Sequence, residues 1–142
     1  MKAIWINAKN KCVSAVEVFG LSDMQERVGG WIQAAHSFLD DSGVETDTLY
    51  VDEEGLLKEP QHFFYLEGAH HPFGSNGLIV GFEGATGKSL ATTKDPLEIQ
   101  KKVRFLTPFE ALILPALPVL NRNPIMPMTN TGKRGKVLWK VP

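Results

Sequence analysis

Cysteine is almost missing from this chain: Cys12 is the only one, so no internal disulfide and no thiolate metal cluster can hold it together. Stability has to come from packing. The lone thiol sits beside Val13 in a strand-like run and reads as a buried or neutral group, not a nucleophile. Long apolar runs are missing too. No stretch approaches the roughly 18 apolar residues that span a bilayer, and the opening MKAIWINAKNK lacks the apolar core of a signal peptide. The expected location is the cytoplasm, with no membrane partner. FEALILPALPVL at 109–120 is the most apolar segment, but Pro115 and Pro118 interrupt it, so it reads as chain packed against protein. Repeats and low-complexity tracts are absent, and no serine stands in a G-x-S-x-G setting. No catalytic constellation emerges, no cofactor is implied, and the expectation leans away from an enzyme.

What is present suits one ordinary domain: 142 residues, 43% hydrophobic and 22% charged, enough to bury a core. The charge is unevenly spread. Residues 1–87 hold 5 Lys/Arg against 13 Asp/Glu, and residues 88–142 hold 10 against 3, although the total is only −1. Such asymmetry fits an anion-binding face or head-to-tail self-association, and also two solvated faces that merely differ.

KAIWIN and CVSAVEVF are strand-like runs joined by Ala8-Lys9-Asn10-Lys11, which predicts an opening β-hairpin. Ser22 then offers an N-cap with Gln25 three residues on. Leu21, Met24 and Val28 share a helical face, and Gly29-Gly30 closes the helix. WIQAAHSFL, TDTLYVDEEGLLK, FFYLEG, GLIVGFE and GKSLATT read as further strands, with a turn at Asp40-Asp41-Ser42-Gly43. Asp95-Pro96-Leu97-Glu98 has the composition of a helix start, and Ile99, Val103 and Leu106 recur at helical spacing, so a second helix is expected over DPLEIQKKVRFL. Beyond Leu106, Pro108, Pro115, Pro118, Pro124 and Pro127 forbid a continuous helix or central strand. An extended wrap is expected there, ending in KVLWKV, a strand able to join a sheet edge in this subunit or a neighbouring one.

GFEGATGKS, 81–89, follows the apolar GLIVG and ends like a nucleotide-binding P-loop. The motif G-x-x-x-x-G-K-[S/T] requires its first glycine at residue 82, which is Phe, and Glu83 would put a carboxylate in the anion cradle. The threonines at 92 and 93 and the Asp95-Pro96 start leave no room for the required helix, so a hairpin turn is expected instead. His70-His71, with His36 and His62 elsewhere, match no metal-ligand spacing and read as a polar loop beside Pro72 and Gly74. Asp52-Glu53-Glu54-Gly55 lacks the alternating oxygen ligands of a calcium loop and reads as a solvated turn. The candidate ligand-binding residues are therefore cationic: Lys88, Lys101, Arg104, Arg122, Lys133 and Arg134, with Lys102, Lys136 and Lys140 in the same basic set.

Several segments together resemble an uncharacterised small domain family common in bacteriophages, plasmids and other bacterial mobile elements. They are Lys2-Ala3-Ile4-Trp5-Ile6-Asn7, Glu17-Val18, Val28-Gly29-Gly30, Leu49-Tyr50-Val51-Asp52-Glu53-Glu54-Gly55-Leu56-Leu57-Lys58 and Gly77-Leu78-Ile79-Val80-Gly81. The likeness covers about residues 2–106 and implies a small mobile-element protein. It carries no activity to any residue, and the basic, proline-rich extension departs from it.

The expected fold is α+β, a mostly antiparallel twisted sheet of about five to seven strands with two helices and an extended Pro-rich C-terminal arm. Residues 1–106 form the core, and 107–142 pack on it or on a neighbouring subunit of a homo-oligomer. The leading functional expectation is a non-enzymatic phage or mobile-element accessory protein that binds a host factor or an anionic ligand, with counter-defence as its role. The alternatives are a module sequestering a nucleotide or signal molecule, and nucleic-acid binding through the basic C-terminal arm. The near-neutral total charge disfavours the last.

Overall fold

In a computed structural model, which describes residues 1–57 and 62–113, the opening hairpin forms as expected. Strand β1 (Lys2–Asn7) pairs antiparallel with β2 (Cys12–Glu17), from Lys2 opposite Glu17 to Asn7 opposite Cys12. Lys11 takes a left-handed conformation (φ 57°) in the turn, and the Asn10 N–H donates to the Asn7 side chain. Cys12, expected as a buried or neutral thiol, is exposed, because it opens an edge strand where the turn leaves solvent access.

With β3 (Ile32–Leu39), β4 (Glu45–Asp52) and β7 (Gly77–Glu83), the main sheet has the order β2-β1-β7-β4-β3 and is antiparallel throughout, and β8 (Lys88–Leu90) pairs with the far half of β7. β7 lies at the centre and is buried on both faces, which is why GLIVG reads as an unbroken apolar run. On one face Leu78 and Val80 meet Ala3, Val18 and the inner side of helix α1 (Leu21–Val28), through Met24 and Val28. The cap of α1 differs from expectation. The helix starts at Leu21 with Gly20 as N-cap, and the Asp23 carboxylate reaches back to accept the Phe19 N–H at 2.9 Å. Gly29 ends the helix with φ 102°, as a C-terminal glycine should.

On the other face Ile4, Ile6, Leu49, Val51 and Ile79 pack against Phe64, Leu66 and Phe73 of a second, three-stranded sheet, with Ile99 joining the same cluster. That sheet orders β6 (Phe73–Gly74), β5 (Phe63–Leu66) and β9 (Val103–Leu106). β9 corrects the longest helix expected from the sequence. Helix α2 (Pro96–Lys102) stops four residues before Leu106, and Val103–Leu106 pair with β5 from Leu66 to Phe63. The run Val-Arg-Phe-Leu alternates as a strand, and pairing with β5 satisfies backbone groups that a further helical turn would leave away from the sheet. Asp95 is the N-cap of α2 but makes no side-chain cap bond, and Glu98 instead lies 3.8 Å from Lys102.

Residues 108–113, expected to be part of an extended arm, are helical. Helix α3 (Pro108–Ile113) follows β9, with Thr107 Oγ1 accepting the Glu110 N–H at 3.1 Å and Glu110 accepting the Thr107 N–H at 2.9 Å, a reciprocal capping box. Proline at the first helical position completes the start signal. The remaining prolines and KVLWKV lie outside the described residues. Among the described residues no helix is long and apolar enough to cross a membrane.

GFEGATGKS is a hairpin. Gly81, Phe82 and Glu83 of β7 face Leu90, Ser89 and Lys88 of β8, and Gly87 turns the chain at φ 73° with its N–H on the Glu83 carbonyl.

Candidate functional site

β4 (Glu45–Asp52), with β3 (Ile32–Leu39) as its outer neighbour, carries the two buried aspartates of the described chain. Asp47 is fully buried. Its carboxylate accepts Thr92 Oγ1–H at 2.7 Å, the Thr93 N–H at 2.9 Å and Thr93 Oγ1–H, which fastens the connection between β8 and α2 to the sheet. These bonds close the site around Asp47, and its role is structural.

Asp52 stands at the other end of β4, where the strand turns. The Glu53 N–H continues the β3–β4 ladder onto the Trp31 carbonyl at 2.8 Å, and Asp52 Oδ1 accepts the Glu54 N–H at 2.9 Å, forming an Asx turn. The chain then enters a 3₁₀ turn, Gly55–Leu57. Gly55 lies directly against Gly74 of β6: a Cβ on either glycine would collide with the carbonyl oxygen of the other. Only glycine permits this approach, and it brings the acidic turn against the His70–Gly74 segment.

Between them lies a cleft of about 380 Å³, lined on the β3 side by Gln33, Ala34 and Ala35. β3 is bulged there, Ala35 being the extra residue between Ala34 opposite Tyr50 and His36 opposite Leu49. The second wall is Val51, Asp52, Glu53 and Leu56, and the third is His71, Phe73 and Gly74. His71 is oriented by its own backbone, because Nδ1 lies 2.8 Å from the Pro72 carbonyl and must donate to it, which leaves Nε2 as an acceptor in the neutral ring. The ring meets Phe73 edge-on at 5.2 Å, and Phe73 packs on Phe64 at 5.4 Å.

The segment after the cleft is fixed to the end of α1. Ser75 Oγ–H donates to the Val28 carbonyl at 3.1 Å, and both Asn76 Nδ2–H and Trp5 Nε1–H donate to the Arg27 carbonyl. These bonds satisfy carbonyls that a helix terminus leaves without intrahelical partners. The His71–Gly74 wall is thereby tied to the end of α1. An apolar base of Val51, Leu56 and Phe73 with Gln33, Asp52, Glu53 and His71 around it suits a ligand that brings hydrogen-bond donors and positive charge.

A second group of titratable side chains lies further along β3. Burial, and then the neighbouring His70 and Lys102, hold the His36 imidazole below its ordinary 6.5. The His36 ring stands edge-on to Phe38 at 5.1 Å, and Lys94 Nζ lies 5.5 Å from the Phe38 ring on another approach.

The cationic residues singled out in the sequence occupy three different elements. Lys88 opens β8 opposite Glu83, Lys101 lies on the exposed side of α2, and Arg104 is exposed on β9 opposite Tyr65. None of the three lines the cleft. Arg122, Lys133 and Arg134 lie outside the described residues. The acidic turn is only partly solvated: Glu53 and Glu54 are exposed, but Asp52 is buried. Gln33, Ala35 and Phe73 carried no signal in the sequence, since nothing in their spacing links positions 33, 52 and 71.

Residues 1–104 match the family model described as a domain of unknown function, DUF3846. No curated protein and no solved structure gives a match.

Proposed function

The chain belongs to this family of unknown function, and from that premise we propose that it is a non-enzymatic phage or mobile-element accessory protein. It acts in the host cytoplasm by binding a host protein in the cleft beside β4, with counter-defence as the role. The observation that carries this reading is positional. The stretch Tyr50-Val51-Asp52-Glu53-Glu54-Gly55-Leu56, on which the family resemblance most depends, supplies one whole wall of the cleft. The volume falls within the range of pockets that take a small molecule or an anchoring side chain. Two carboxylates on that wall favour a lysine or arginine side chain of a partner over a phosphate, so a host protein is preferred to an anionic ligand at this site.

The test is quantitative capture from host lysate with the wild-type chain, with Glu53→Lys and with Lys88→Glu. Both substitutions are at exposed positions and leave the fold intact. A partner retained by wild type and Lys88→Glu but lost by Glu53→Lys supports the cleft. Loss with Lys88→Glu alone moves the site to the basic surface. Turnover of nucleotide or nucleic acid by the purified protein, abolished by one substitution, would overturn the non-enzymatic reading.

A further inference from the structure

The two outer strands of the main sheet are unequal. β2 has α2 packed against it, although none of its residues is buried, and it follows a turn carrying Lys9 and Lys11. β3 is the opposite outer strand, and among the described residues no strand pairs with its free side. Edge strands are ordinarily protected by charge, proline or a bulge. β3 has the Ala35 bulge but no proline, and His36 is its one ionisable residue over eight positions. Instead its two ends carry exposed apolar side chains, Trp31 (70% exposed) just before it, with Leu39 (57%) and Val44 (57%) at the other end. The Asp40 N–H bonded to the Val44 carbonyl at 2.9 Å holds Val44 beside Leu39.

This arrangement is complementary to itself. When a strand pairs antiparallel with its own copy about a two-fold axis, its first residues lie beside the last residues of the other strand, and the match occurs twice. Trp31 then falls near the partner's Leu39 and the partner's Val44, and the reverse. We propose that β3 is the interface of a homodimer, formed by antiparallel pairing with a second copy about a two-fold axis near Ala35 and His36. The proposal is independent of the cleft's ligand. It sets the two clefts side by side, because Gln33, Ala34 and Ala35 belong both to β3 and to the cleft wall.

Native mass spectrometry and sedimentation of the full chain test this, with three variants. Trp31→Lys combined with Leu39→Lys should raise the dimer dissociation constant by roughly 30-fold, as for loss of a buried aromatic anchor. Thermal denaturation and circular dichroism of that variant should match wild type at a concentration where both are monomeric. In a Cys12→Ser background, His36→Cys should form a disulfide-linked dimer on mild oxidation, whereas Lys88→Cys should not. This readout stands even if the lysine variant folds poorly. A wild-type chain that is monomeric at all concentrations overturns the proposal. So does an oligomer that withstands the lysine pair, or one that dissociates with Leu138→Lys alone, which would make KVLWKV the occupant of the edge.

Discussion

Asp47 and Asp52 lie five residues apart on one strand and both are buried, yet their surroundings differ in kind. Asp47 is enclosed by Thr92 and Thr93, whose three donors hold the crossover from β8 to α2 against the sheet. Asp52 lies at the strand's end, its Oδ1 shaping the turn while its residue lines a cleft. The difference arises from what passes over each position: a connecting segment rich in hydroxyls at one end, and a pair of abutting glycines at the other. Burial of a carboxylate thus marks structure in one case and a candidate site in the other, and the local partners decide which.

The largest effect should come from Asp47→Ala, which removes one acceptor from three donors in a fully buried setting. Urea denaturation should show a loss of about 3 kcal/mol, since buried donors left without a partner keep their desolvation cost. An unchanged midpoint would mean that the threonines find other partners and that the contrast with Asp52 is not one of stability. Gly74→Ala should follow, at about 2 kcal/mol, because its methyl group has to displace the Gly55 carbonyl from the turn that shapes the cleft. Here partner capture should fall along with stability.

Asp52→Asn sharpens the comparison most. Asparagine keeps an Oδ1 acceptor for the Glu54 N–H, so stability should change by no more than about 1 kcal/mol, while capture of the host partner falls. A loss of stability as large as that of Asp47→Ala would make both aspartates structural.

The smallest effect concerns pH. His36 binds its proton less readily in the fold than in the unfolded chain, so the unfolded state takes up more protons below 6.5. Its contribution to stability is complete above 6.5, declines as the pH falls through that value, and levels off below the folded pKa. Replacing His36 with Asn should flatten this part of the stability profile, read from denaturation midpoints between pH 8 and pH 5 in equal salt.

Much of the fold was legible where local pattern and tertiary structure agree. The hairpin of β1 and β2, the glycine stop of α1, the central apolar strand β7 and the turn in GFEGATGKS all follow from periodicity and turn chemistry. Val103–Leu106 were misread because Ile99, Val103 and Leu106 fit a helical stripe, while Val103 and Phe105 equally fit one face of a strand. The partner β5, some forty residues earlier, decided between them. Helix α3 was hidden by the prolines after it, although Thr107 and Glu110 carry a complete capping box. The cleft had the weakest signal of all. Its walls come from three distant segments, and the two features that join them, the Ala35 bulge and the Gly55–Gly74 contact, have no local signature.

Hydrogen exchange on the chain with and without its captured host partner tests the central claim most directly. Added protection should concentrate in 33–35, 51–56 and 71–74, the three walls of the cleft. Protection confined to the strand and helix surfaces that carry Lys88, Lys101 and Arg104, with the cleft walls exchanging as in the free protein, would contradict it.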